Sequence, residues 1–562
     1  MQRRKFTRCI TWLLAAMLSL GIVSGCQNSD SPESKVTTAG EAVQTKADSK
    51  ESGSENEETK DSKKENEETD EDVTVLTVEV FDRAITGGSD PTDNFWTKWI
   101  NEQMMERHNI EVQYISLPRS EEIPQLNVMM AGGNAPDISI TYSSTTIYNY
   151  YKQDGVADLT DLVEEYGPTI KSYLGEEILS YGQFDEKQYM IPAKRIARSR
   201  CSTFIRKDWL DALDLKIPET TEEFYDAMVA FKEQNPGNVE QVIPFIITPD
   251  TWHLTNLTDS FIDPNMTEED AFVNAVSGSS GGSTILYPGF KEGIQFVNKM
   301  YNEGLIDKQF PLYKDFVPAG DQIKRGVVGA FISNYDYPIR TADAVYNTLK
   351  ENVPDAELIA IDPFENANGD KVKQIYAPTG IYSFVPAASS NAEAAVKYLN
   401  FLCEDEARIF ITVGEEGIHH TKDENGIPVM INLENDDRMM NAPNNLDYAV
   451  IVNGVDLGNE DENILVLSKS YEAGYEEFFM HSYDIAMNDA VIFNPDITPF
   501  ETEAQFSAAL DDKRREILAN AIMASEADFS KIFDQGIQEW LDAGGQQCWD
   551  ERRAYWDEHN AG

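Results

Sequence analysis

Basic residues are scarce in this chain: 46 Lys and Arg stand against 98 Asp and Glu in 562 residues, a net charge of −52. That balance excludes nucleic-acid binding and docking on anionic membrane surfaces, both of which need basic patches. It also gives a surface that repels anionic polymers at long range, within the reach that salt leaves to it. Cysteine is nearly as scarce. Of five, Cys9 sits in the leader and Cys26 directly after it, so Cys201, Cys403 and Cys548 remain. An odd number without CxxC spacing argues against a disulfide framework or a zinc site and for buried thiols. Catalytic signatures are missing too: the sequence holds no HExxH, no phosphate-binding Walker loop and no dinucleotide fingerprint. Gly278-Ser-Ser-Gly-Gly fits G-x-S-x-G in form, but Ala271-Phe-Val-Asn-Ala-Val before it reads as helix. A nucleophile elbow needs a strand there, so a flexible loop is the reading. The six histidines are scattered; the one adjacent pair, His419-His420, reads as surface or loop imidazoles, since neighbours face different ways on a regular element.

Long apolar runs are limited to one. Ile10 to Val23 is 14 residues, short of the roughly 20 that cross a bilayer as a helix. It follows Arg3, Arg4, Lys5 and Arg8 and ends in small residues, the layout of a secretory signal. Val23-Ser24-Gly25-Cys26 resembles the bacterial lipoprotein signal, in which the cysteine is acylated and becomes the first mature residue. Loss of residues 1–25 takes the net charge to −56, since the leader carries four bases and no acid. The expected address is the outer face of the cytoplasmic membrane, held by lipid. Residues 26–72 read as a disordered acidic tether: 27–72 hold 15 acids, 6 lysines and no aromatic residue. As a coil, 46 residues span on the order of 35–40 Å.

Beyond Val73 the apolar pattern switches between period 2 and period 3.6. Val73 to Val80 reads as a strand, Asn94 to Met105 as an amphipathic helix and Ile110 to Ile115 as a strand. Pro136 to Thr141 and Val327 to Ile332 read as further strands, and Ala392 to Cys403 as a helix. Thr220 and Glu223 have the spacing of a capping box. About 490 residues exceed what one core holds, so two α/β lobes with mostly parallel sheets are expected. Ligands on such sheets sit at the carboxyl ends of strands. There, Tyr142, Trp252, His253, Tyr335 and Tyr337 follow predicted strands, and aromatic faces suit the apolar C–H faces of sugar rings. Arg195, Arg198 and Arg200 cluster around a strand approach and read either as a solvated edge or as a cationic patch able to hold a carboxylate through paired hydrogen bonds.

Ala131-Gly-Gly-Asn-Ala-Pro-Asp-Ile, Tyr189-Met-Ile-Pro and Ile205-Arg-Lys-Asp-Trp-Leu-Asp-Ala-Leu-Asp-Leu-Lys-Ile-Pro-Glu-Thr-Thr-Glu-Glu-Phe carry a resemblance. Gly326-Val-Val-Gly-Ala-Phe and Gly414-Glu-Glu-Gly-Ile-His-His add to it. With these stretches the chain resembles the lipid-anchored extracellular solute-binding proteins of bacterial ABC importers, in their larger sugar-binding group. The resemblance implies a two-lobe clamp with several crossings between lobes. Lobe one would hold 73–195 and about 376–435; lobe two would hold 196–375 and about 436–562. The family's ligand loops would fall at Asp90 and Asn94, Tyr142 and Ser143, Arg198 and Arg200, Trp252 and His253, Asn334 to Tyr337, and Tyr382 with Ser383. It further implies capture of an oligosaccharide, delivery to permease subunits, a monomer, and no cofactor. Many relatives carry an acidic calcium-like loop after the 220–232 helix. Here it reads Gln234-Asn-Pro-Gly-Asn-Val-Glu, too few acids for a hard cation, so no bound calcium is expected in that loop. A surface carbohydrate hydrolase, an adhesin with a degenerate cleft, and a binder of peptide or another polar solute remain the alternatives. The arginine cluster leans toward acidic sugars such as uronides.

Overall fold

The computed structural model describes residues 73–560, apart from 86–87, 277–282, 341–343, 432, 434, 441–444 and 492–499. The leader, Cys26 and the tether lie outside the described residues, as does the 278–282 motif with Ser280.

Two large apolar cores organise these residues. The first gathers Leu76 to Ala193, then Ile381 to Ile411, then Tyr448 to Val452. The second gathers Cys201 to Phe364 and Ile464 to Cys548. Lobe one therefore returns a second time: the Val452–Asn453 strand pairs parallel with Met190–Arg195, so a lobe-two start near 436 is too early. The reason is register. Tyr448 to Val452 are fully buried beside the first sheet, and leaving them to the other lobe would open its core.

Each lobe has one main sheet, with order Val452–Asn453, Met190–Arg195, Thr379–Phe384, Ser139–Thr141 in the first. In the second the order is Leu358–Ile361, Cys201–Arg206, Val328–Asn334, Ile243–Ile246. Thr74–Asp82 and Ile110–Pro118 pair parallel and join the first sheet through a Val78–Ile138 bridge. The α/β two-lobe class stands, but the sheets are mixed. Thr379–Phe384 runs antiparallel to both its neighbours, and Cys201–Arg206 runs antiparallel to both of its own. In each sheet a strand running toward the gap lies beside one running away from it: Met190–Arg195 beside Thr379–Phe384 in the first, and Leu358–Ile361 and Val328–Asn334 beside Cys201–Arg206 in the second, so these neighbours point in opposite directions.

Three crossings make that gap a hinge. Residues 195–200 and 374–379 lie side by side: Arg195 N donates to Pro378 O at 2.8 Å and Tyr376 N to Arg198 O at 2.9 Å. The third crossing leaves Asn453, to which Ile196 N donates at 3.1 Å. Gly454 follows with φ 123°, a conformation that L side chains rarely adopt, and a Cβ there would come 3.0 Å from Ile196. The lobes touch again where helix Ser144–Tyr151 meets helix Glu501–Met523: Asn149 Nδ2 donates to Ala504 O at 3.4 Å and Lys152 lies 3.1 Å from Glu501.

Local devices follow the sequence. Thr220 caps helix Thr221–Gln234 through Glu223 N, while the Glu223 carboxylate takes Glu219 N rather than its partner's own N–H. The Gln234–Glu240 loop is closed by one side chain: Asn235 Nδ2 donates to Val239 O and its Oδ1 accepts Val239 N. Cys201, Cys403 and Cys548 are free and buried. His419, in a turn, and His420, opening a short strand, are buried as well, which corrects the surface half of the surface-or-loop reading. His419 packs 4.6 Å from the Trp96 ring, and its Nδ1 accepts Glu415 N.

Candidate functional site

Parallel strands aim their carboxyl ends one way, and in both lobes that way is toward the hinge. In lobe one the residues reached are Arg83 after Thr74–Asp82, Tyr142 after Ser139–Thr141, and Arg195 at its own strand's end. In lobe two, Trp252 follows Ile243–Ile246 and Asn334 ends Val328–Asn334. Because Cys201 pairs with Asn334 in antiparallel register, Arg200 arrives at the same sheet end.

These side chains form a ladder across the hinge. The Arg195 guanidinium lies 4.4 Å from the centre of the Tyr376 ring, Tyr376 lies 5.9 Å from Trp252, and Arg200 lies 3.9 Å over Trp252. Cation–π contact and planar stacking both favour arginine on an aromatic face. Trp252 is held from behind. Asp250 Oδ1 accepts Trp252 N at 3.1 Å, and the indole Nε1 donates to Asn334 Oδ1 at 2.9 Å. Arg198 Nε donates to Tyr376 O at 3.0 Å, and Arg200 Nη1 donates to Gln374 Oε1. Gln374 Nε2 in turn donates to Asp259 Oδ2 at 2.6 Å. Asp259 is buried, and burial pushes its carboxyl up to about 6 against the hydrogen bonds from Thr255 and Gln374.

Lobe one supplies a second group. Arg119 lies 4.7 Å over Tyr142, which stacks on Phe81 at 6.2 Å. Arg83 donates to Tyr142 Oη at 3.3 Å and grips Asp447 at 2.6 and 2.7 Å. Arg83 also borders an open cavity of about 470 Å³ lined by Asp82, Ser89, Asp90 and Ser116 among others. Asp90 sits on that rim, exposed, with its carboxylate held below its usual range by hydrogen bonds from Thr92.

The predicted residues therefore divide. Arg198, Arg200, Trp252 and Asn334 come together, with Tyr142 and Asp90 on the facing lobe. Six others sit in helix caps and cores. Asn94 is fully buried and caps helix Phe95–His108, accepting Trp96 N and Thr97 N while donating to Tyr448 Oη. Ser143 caps helix Ser144–Tyr151 through Thr146 N. His253 stacks on Phe316 at 3.8 Å with Nδ1 at Ile332 O, and burial lowers its pKa to about 4, so the ring is neutral. Tyr335 packs on Phe479 and Tyr483, Tyr337 on Phe316 and Phe331, and Tyr382 lies buried against Thr379. Tyrosine after a strand closes a core as readily as it lines a cleft. Arg83 was within reach of the post-strand rule and went unnamed. Tyr376 gave no signal, because Gln374-Ile-Tyr-Ala-Pro belongs to no strand of useful length.

Residues 63–409 match the family described as bacterial extracellular solute-binding protein. The chain belongs to that family. Among relatives of this solute-binding protein is the polygalacturonan/rhamnogalacturonan-binding protein YtcQ of Bacillus subtilis (strain 168). It is 22% identical over 462 residues, covering 78% of this chain and 84% of YtcQ. The fructooligosaccharide ABC transporter substrate-binding protein FusA of Streptococcus pneumoniae is 26% identical over 225 residues, covering 34% of this chain and 38% of FusA. In fold, the solute-binding protein is similar to the alginate-binding protein AlgQ2, with TM-score 0.58, 20% identity, and 87% and 98% of the two chains covered. The family binds solutes rather than turning them over.

Proposed function

We propose that this protein captures an oligosaccharide between its lobes and hands it to the permease of an ABC importer. The observation that carries the reading is the ladder. Aromatic and cationic side chains from both lobes and from the crossings meet at the carboxyl ends of two sheets, where a ligand would bridge the parts that move. Ligand bound to both faces favours the closed form by its differential affinity, and a permease recognises that form. The polygalacturonan/rhamnogalacturonan-binding YtcQ and the fructooligosaccharide-binding FusA support an oligosaccharide as cargo. Binding without turnover is part of the proposal, as is a monomeric state.

Cys26 would carry the lipid that keeps the protein at the outer face of the cytoplasmic membrane. The Bacillus subtilis lipoprotein LipO, 23% identical over 462 residues, supports that address. Cys26→Ser should move the protein from the membrane fraction to the medium; retention in the membrane would refute lipid anchoring at this residue.

Trp252→Ala tests the site. It removes the ring on which Arg200 lies, and affinity for the cognate oligosaccharide should fall at least about tenfold, equivalent to about 1.4 kcal/mol. Calorimetry giving an unchanged dissociation constant would move the site elsewhere.

A further inference from the structure

Three aromatic rings stand at the hinge and the facing lobe, and a guanidinium covers each: Arg119 on Tyr142, Arg195 on Tyr376, Arg200 on Trp252. A site for neutral sugars offers bare aromatic faces to C–H groups; here each of the three rings carries a cation on one face. Arg119 has Glu122 as a counter-ion, and the nearby Arg340 has Asp336 at 2.6 Å. Arg195, Arg198 and Arg200 make no ion pair with a carboxylate among the described residues, in a chain with more than two acids for every base. Moreover, Arg198 Nη2 and Arg200 Nε are buried and have no hydrogen-bond partner there. Buried charged donors without acceptors are disfavoured, and the exceptions call for a reason. Gln374 stands between Arg200 and Asp259, so that carboxylate reaches Arg200 only through an amide.

We propose that Arg198 and Arg200 form a carboxylate subsite, and that the captured oligosaccharide carries hexuronate units. The unpartnered Nη2 of Arg198 and Nε of Arg200 are the donors that a carboxylate would satisfy, while Trp252 holds the plane of Arg200 and the Tyr376 carbonyl holds Arg198 through its Nε. Planar, paired N–H donors recognise a planar anion in a way a lone ammonium does not. The inference rests on the oligosaccharide reading above and adds the charge of the cargo.

Calorimetry on the purified protein separates the two. The probes are galacturonate and mannuronate trimers, each beside its carboxyl-reduced neutral counterpart, with a sulfated neutral trimer as a third class. At least one uronate should bind tenfold or more tighter than its reduced form. Arg200→Gln should abolish most of that preference, and Arg200→Lys, which keeps the charge and loses the fork, should restore only part of it. A thermal melt of each variant identifies any that fail to fold, and the comparison of acid with reduced probe on the unaltered protein stands without them. Equal or better binding of the reduced trimers overturns the carboxylate subsite and leaves the oligosaccharide reading intact. Preference for the sulfated trimer overturns the assignment to carboxylate. Binding of none of these sugars overturns the carboxylate subsite.

Discussion

Glu79 is the residue whose chemistry is most displaced by its setting. It sits in the interior of Thr74–Asp82 with no exposed surface, its Oε2 accepting Ile140 N at 3.0 Å and its Oε1 without a hydrogen-bond partner among the described residues. Burial raises its pKa from 4.5 to about 8, opposed by the Ile140 bond and assisted by Glu122. The folded state thus keeps a proton that the unfolded chain releases near 4.5. Stability is full below that value and falls as pH rises toward 8, by an amount on the order of a few kcal/mol. Glu79→Gln should flatten that fall, so its melting temperature gains on the unaltered protein as pH goes from 5 to 8. Parallel curves would mean that Glu79 does not govern the slope. What the sequence makes legible at this scale is position: Trp252 and Tyr142 follow strands, and both stand at strand ends beside the gap. Tyr335, Tyr337 and Tyr382 obey the same rule and lie in cores, because which side of a strand end faces the gap depends on packing that no local pattern encodes.

Among elements, the helices and strands of lobe one lay close to their apolar periodicity, with Phe95–His108 and Ile110–Pro118 matching the 94–105 and 110–115 readings. The hinge did not. Its strands are defined by partners far along the chain, such as Arg195 with Pro378, and pairing at that separation leaves no periodic mark. Where helix Ser144–Tyr151 meets helix Glu501–Met523, contact between lobes rests on an exposed ion pair and one longer hydrogen bond. Exposed pairs are worth at most about 1 kcal/mol, yet in a clamp that closes on its ligand this one would bear on the balance between open and closed forms. Lys152→Glu sets two acids facing each other and should weaken apparent ligand affinity by roughly two- to fivefold, chiefly through faster dissociation. Stopped-flow release measurements with an unchanged off-rate would show that the contact plays no part in closure.

For the whole molecule, the decisive property is the contrast between a net charge of −52 and a hinge lined with arginine. Long-range repulsion slows the approach of an anionic sugar, and the arginines act only within a few ångströms. Salt screens the first more than the second, since partly buried groups are shielded less. The association rate for an oligouronate should therefore rise a few-fold between about 10 and 150 mM salt, whereas steered binding to a basic surface falls. A falling rate would show that the arginine field reaches beyond the cleft.

Trp252 is pressed between a guanidinium at 3.9 Å and a tilted phenol ring, at the point where the lobes join. Indole emission responds to nearby charge and to water, so the same packing that fixes Arg200 makes Trp252 a built-in optical gauge. Any cargo that draws Arg200 off the indole, or shuts water away from it, reports its own arrival as a change in intrinsic fluorescence, with no label attached.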